Sequence, residues 1–176
     1  PEIDMPAHSN AALAAYPQLA CPVVNSYIGV IPGLGGGSSG VIYCAGNDSA
    51  FTFLQDVLDE VMAIFPSRYI HLGGDEAQKG FWKKCPLCRQ RMNKEHLADV
   101  EDLQGYFMKR MSDYVRSKGR EVIGWDDYED DWNWIDWLFF EDDDYWEDDS
   151  WDEWGSDQSW AEFGNGRSDC MRKQIA

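Results

Sequence analysis

Apolar residues recur along this chain with two different periods, and the way the periods alternate predicts the architecture. Glu2 to Met5 reads as the end of a strand, and Ser9 to Tyr16 as a short Ala-rich helix stopped by Pro17. From Phe51 onward Phe51, Leu54, Leu58, Val61 and Phe65 fall at three- and four-residue intervals. That is the spacing of a helix with one buried face. Asp48 or Ser49 is placed to cap it and Pro66 to end it. A short β-type segment follows, Arg68 to Leu72, and then a loop holding Cys85 and Cys88. A second amphipathic helix presents Val100, Leu103, Phe107, Met111 and Tyr114 and closes at Gly119, before a strand from Glu121 to Trp125. Strand, helix, strand, helix, strand is the order of parallel βα units, so the fold class is α/β.

In that architecture the strand ends share one face, where sites are built. His8, the carboxylates Asp75 and Glu76, and Trp125 all fall at predicted strand ends. The Gly-rich run from Gly33 to Gly40 is not followed by Lys-Ser or Lys-Thr or by a helix start, so it reads as a flexible insertion rather than a phosphate cradle.

Charge changes the picture in one segment only. The net charge is −17, but 17 of the 32 acidic residues lie between Asp126 and Glu162, which contains no Lys or Arg. The remainder is near neutral. Such a balance disfavours nucleic acid as a partner. No apolar run approaches the roughly 18 residues of a membrane span. Residues 128–176, rich in Trp, Asp and Glu, show neither period, and the expectation is a loosely packed acidic tail. A metal-buffering role for residues 126–162 would need calcium, yet the Asp/Asn alternation and central Gly of an EF-hand loop are absent.

Asp75 and Glu76 are the candidate chemistry. Two adjacent carboxylates disfavour full ionisation of both, so one is expected to hold a proton near neutral pH and act as a general acid. Gly73 and Gly74 just before them allow a sharp turn and a close approach to the backbone.

With Pro1-Glu2-Ile3-Asp4-Met5-Pro6-Ala7-His8-Ser9, His71-Leu72-Gly73-Gly74-Asp75-Glu76 and Ile123-Gly124-Trp125-Asp126-Asp127 in that order, the chain resembles the family 20 glycoside hydrolases, the exo-acting β-N-acetylhexosaminidases. The resemblance covers residues 1–127. It implies a partial (β/α)8 TIM barrel of about three βα units, because 176 residues fall short of the roughly 250 of a whole barrel. Residues 1–127 are then the catalytic segment and 128–176 a tail without a match, and the chain reads as a fragment.

The resemblance also implies roles. The family hydrolyses terminal non-reducing β-linked N-acetylhexosamine with the substrate's own acetamido oxygen as nucleophile. Glu76 is then the general acid and base, and Asp75 the partner of the acetamido N–H. His8, Asp4 and His71 are supporting residues, and Trp125 and Asp127 contact substrate. Neither metal nor organic cofactor is expected. The partner is a glycan ending in N-acetylglucosamine or N-acetylgalactosamine, or a chitooligosaccharide, and the location secreted, periplasmic or lysosomal. The alternative is a non-catalytic fragment that binds such glycans weakly or not at all. Ala7 stands where the family usually has Gly, which predicts strain there if that turn needs positive φ. Asp127 stands where Glu is usual. Sugar preference, aglycone and oligomeric state are not encoded legibly.

Five cysteines are present: Cys21, Cys44, Cys85, Cys88 and Cys170. Cys21 and Cys44 bracket the Gly-rich run and are equally readable as a disulfide or as free thiols. Cys85-Pro86-Leu87-Cys88 has the spacing of half a zinc site, but with no second such pair it reads as a local loop feature.

Overall fold

The computed structural model of the protein describes residues 1–30 and 40–125. The Gly-rich insertion, nearly all of it, Asp127, Cys170 and the acidic segment 128–176 therefore lie outside the described residues. Three strands, β1 (Glu2–Met5), β2 (Tyr69–Gly73) and β3 (Glu121–Ile123), form a parallel sheet in the order β1-β2-β3. Helices α1 (Asn10–Ala15) and α2 (Asp48–Ile64) follow β1, and α3 (Pro86–Glu95) and α4 (Val100–Ser117) follow β2. Neighbouring parallel strands separated by helical crossovers are the βα units that the residue pattern predicts, and they fit the partial (β/α)8 barrel that the resemblance implies.

Strand β2 shows why the sheet has two unlike faces. Ile70 and Leu72 are fully buried, while Tyr69 is exposed and His71 half-buried on the other side of the pleat. Helix α4 packs on β2 and β3, bringing Leu103, Phe107 and Met111 into the core. The Phe107 ring lies 4.7 Å from that of Phe51 on α2. Trp82, fully buried, lies over the same ring and donates its indole N–H to the Tyr43 carbonyl at 2.9 Å. Each such side chain contributes about 1.5–3 kcal/mol by leaving water.

Several local expectations are corrected. The cap of α2 is Asn47, whose side chain accepts from the Ser49 amide at 3.0 Å, rather than Asp48 or Ser49. Asp48 instead accepts from Arg91 on α3 and Arg110 on α4, at 2.6 and 2.7 Å. The buried face of α2 ends in Met62, with Val61 at its margin and Phe65 exposed, because the helix stops at Ile64 and Phe65 is extended. On α4, likewise, Val115 is buried where Tyr114 is only partly so. The segment with Cys85 and Cys88 is largely helix: Pro86 occupies the first position of α3, where its missing N–H costs nothing.

Candidate active site

The acid pair is carried past the end of β2 by a turn that only particular residues tolerate. Gly73 has φ +71°, and a Cβ there would overlap Asp4 Oδ1, with Asp4 Cγ at 3.0 Å. The close approach of β1 and β2 at this point needs a residue without a side chain. Gly74 follows with φ +104° and Glu76 with φ +51°. On β1, the chain leaves through a cis Met5-Pro6 bond into His8, whose φ is +50°. Strain expected at Ala7 thus resides at His8 itself, and Ala7 is simply buried. Backbone outliers in the left-handed region cluster where surrounding structure over-determines them, and two fall on residues of this site.

His8 comes to rest between the two carboxylates. Its Nε2 lies 3.8 Å from Asp75 Oδ2 and 3.6 Å from Glu76 Oε2. Asp75 is the more enclosed of the pair and Glu76 the more open, with side-chain exposures of 23% and 72%. One carboxyl is thus set among protein groups and the other toward solvent. Below them, burial pushes Asp4 up to about 6, with the neighbouring charges of Glu2 and Asp75 adding to it and His8 opposing it. Asp4 Oδ1 is buried and accepts no hydrogen bond among the described residues.

A second group of side chains gathers one step along the sheet. Trp125 extends the β2–β3 pairing by donating its amide to Gly73 O at 2.9 Å. Its indole N–H donates to Glu2 Oε1 at 2.7 Å, and its ring lies 4.7 Å from that of His71. His71 Nδ1 faces both the Gly73 amide, at 3.1 Å, and Glu2 Oε1, at 3.2 Å. It can satisfy only one: as a bare nitrogen it accepts from the amide, as N–H it donates to the carboxylate. Burial, the largest influence, holds the ring below the usual histidine range.

Of the residues expected to form the site, His8, Asp75 and Glu76 are therefore brought together, with Asp4 behind them. His71 and Trp125 form an adjacent pair. Two participants are absent from the sequence reading. Glu2 joins His71 to Trp125, and its only legible signal is its position two residues before Asp4, on the same face of β1. Gln104, buried on the apolar face of α4, donates to the Gly74 carbonyl at 2.7 Å and holds the turn from beneath. A glutamine at an apolar helix position is the signal there. A cavity of about 280 Å³ beside Asn10, Tyr27, Ile28, Val41 and Phe81 is lined by none of these charged groups.

Residues 1–166 match the model of glycosyl hydrolase family 20, catalytic domain. A beta-hexosaminidase of Porphyromonas gingivalis is 47% identical over 127 residues, which is 72% of this chain and 16% of that protein. The crystal structure of a β-N-acetylhexosaminidase from Bacteroides fragilis is similar with a TM-score of 0.60 and 52% identity, covering 71% of this chain and 23% of that one. An exo β-N-acetylglucosaminidase from Vibrio harveyi, solved with N-acetylglucosamine, aligns at 30% identity and a TM-score of 0.59, covering 72% of this chain and 19% of its own. The chain thus spans about a sixth to a quarter of the length of these relatives.

Proposed function

The chain belongs to glycosyl hydrolase family 20, and from that premise we propose that it carries the acid pair of an exo-acting β-N-acetylhexosaminidase. The reaction is removal of a terminal, non-reducing β-linked N-acetylglucosamine or N-acetylgalactosamine from a glycan or chitooligosaccharide, with retention and with the substrate's amide as nucleophile. Residues 1–127 supply the catalytic segment in this reading. The observation that carries it is the placement of His8 within 4 Å of both Asp75 and Glu76 at the ends of two neighbouring parallel strands.

Each carboxyl has a distinct task. Glu76, the more open, delivers a proton to the glycosidic oxygen as the bond to the anomeric carbon breaks. The acetamido carbonyl oxygen attacks that carbon from the other face, and the ring nitrogen of the resulting oxazolinium carries positive charge. Asp75, enclosed and acceptor-only when ionised, orients the acetamido N–H and stabilises that charge. Glu76, now a carboxylate, takes a proton from the water that opens the ring. His8 is a positioning residue, its Nε2 3.8 Å from Asp75 Oδ2 and 3.6 Å from Glu76 Oε2. His71 faces Glu2 across the two strands, Gln104 holds the Gly74 turn from α4, and Asp4 packs against Gly73. Trp125 walls the acetamido group, and Asp127, outside the described residues, contacts the sugar.

Hydrolysis of aryl β-N-acetylglucosaminides tests this. Glu76→Gln and Asp75→Asn should each lower kcat by about 10²- to 10⁴-fold on a poor phenolic leaving group. A leaving group that needs no proton should restore much of the Glu76→Gln rate and little of the Asp75→Asn rate. Equal rescue of the two would mean that the roles are misassigned. The alternative reading is a segment that binds N-acetylhexosamine weakly without turning it over, or does not bind it. Saturable sugar binding with no chromophore release from the unsubstituted protein would decide for it.

A further inference from the structure

Four of the five cysteines converge on one point in the core. The sulfurs of Cys21, Cys44, Cys85 and Cys88 all lie within 4.8 Å of one another, and all four residues are buried. Cys21 and Cys44, equally readable from the sequence as a disulfide or as free thiols, are free thiols here and supply the second pair that the Cys85/Cys88 spacing lacks. An antiparallel bridge between Ala20 and Tyr43 sets them side by side, reinforced by the Cys44 amide donating to Leu19 O at 2.9 Å. Cys85 and Cys88 arrive from the other side as the cap and first turn of α3. Gly46 permits the approach: a Cβ there would overlap the backbone of Leu87 and Cys88.

The geometry points to a structural zinc site with these four thiolates as its ligands. Zinc is held by sulfur at about 2.3 Å in tetrahedral array, which places ligand sulfurs about 3.8 Å apart. The distances are 3.8 Å for Cys21–Cys88, 3.8 Å for Cys44–Cys85 and 3.7 Å for Cys44–Cys88. A disulfide would need roughly 2.0 Å. Four thiols as mere apolar filler would have no reason to meet sulfur to sulfur from three separate stretches of chain. Four soft ligands in tetrahedral array select zinc over hard cations, and a full set of protein ligands buried from solvent leaves no position for substrate, so the role is structural. The negative charge of a tetrathiolate would be offset in part by the N-terminus of α3, at which Cys85 is the cap. The ion would clamp the stretch after β1 to the stretch that leaves the acid pair, independently of whether the protein turns over sugar.

The test is metal content of the full chain, purified without a metal-affinity tag and under reducing conditions. One zinc per chain is expected by elemental analysis, released by an organomercurial thiol reagent. Cobalt substituted for zinc should give the thiolate-to-metal charge-transfer bands and intense visible bands of a tetrahedral all-sulfur site. Cys44→Ser and Cys88→Ser should lose the ion and those bands, and Cys170→Ser should keep both. If the first two variants do not fold, the cobalt spectrum of the unsubstituted protein still decides. Two disulfides, four alkylatable thiols with no metal, or iron at full stoichiometry would each overturn the proposal.

Discussion

Replacing Gly73 by alanine should be one of the most damaging single-methyl changes in the described part of the protein, and its cost can be separated into two parts. The first is backbone: alanine at φ +71° costs about 1–2 kcal/mol, offset by up to about 1 kcal/mol because alanine has less freedom to lose on folding. The second is steric, because the new Cβ meets Asp4 Oδ1 and lies 3.1 Å from Asp4 Cα. The carboxyl can swing, but the Cα belongs to the neighbouring strand, so an overpacking cost of about 1–3 kcal/mol is expected. Gly119, at φ +74° with nothing within 4 Å, isolates the backbone part. Gly105, inside α4 with open space and helical φ, isolates the entropic part and should stabilise by about 0.5–1 kcal/mol as alanine. Urea midpoints at unchanged m-value then order the variants. Gly105→Ala should exceed the parent, Gly119→Ala should lose about 1 kcal/mol, and Gly73→Ala about 2–4 kcal/mol. Asp4→Ala in the Gly73→Ala background should return part of that loss as a measurable coupling. Gly73→Ala no worse than Gly119→Ala, with no coupling to Asp4, would refute the packing of β1 on the acid-pair turn.

Titration of the same region should be visible in stability. Asp4 binds its proton more tightly in the fold, up to about 6 against 3.8 unfolded. It is neutral in both states below pH 3.8, and wild type should lose stability relative to Asp4→Asn between about pH 4 and 6 as pH rises, by roughly 1–2 kcal/mol after solvent screening. His71, held below its ordinary 6.5, works in the opposite sense. Its neutral ring has no titration penalty above pH 6.5, and wild type should lose stability relative to His71→Gln as pH falls below that value, a trend that urea midpoints across the range would reveal or exclude. At the start of α4, Asp99 Oδ1 accepts from the amides of Glu101 and Asp102 at 2.8 and 3.0 Å. Asp99→Ala should cost about 1 kcal/mol in thermal or urea unfolding, and an unchanged midpoint would show that the cap is idle.

What could be read from the residues and what could not divides along the range of the interactions involved. Helices α2 and α4 were legible because burial of one face imposes a period that survives in the sequence, and β2 because Ile70 and Leu72 alternate with Tyr69 and His71. Errors at their edges have local causes: Asn47 caps α2 because its side chain reaches the Ser49 amide, which frees Asp48 to bind two arginines. Helix α3 was hidden because eight of its ten residues, Cys88 and Arg91 excepted, are not buried. Position 8 was harder still, since left-handed backbone at a histidine leaves no compositional trace and the neighbouring Ala7 drew the expectation of strain.

The acid pair and the thiol cluster show the same divide more sharply. Asp75 and Glu76 are adjacent in the chain, so their mutual electrostatics can be reasoned without a fold. Cys21 and Cys44 become a pair only through the Ala20–Tyr43 bridge, and that pair becomes half of a tetrahedron only because Gly46 lets Leu87 and Cys88 come close. A spacing rule that searches for two short cysteine pairs fails on a site whose second pair is made by tertiary structure. The lone Cys-x-x-Cys is then a reason to look for sulfur elsewhere in the fold, and here the search leads from the start of α3 to the stretch between α1 and α2. Because that stretch follows the β1 end that carries His8, and α3 follows the turn that carries Glu76, a clamp at the sulfurs would limit how far the two strand-end loops can move apart.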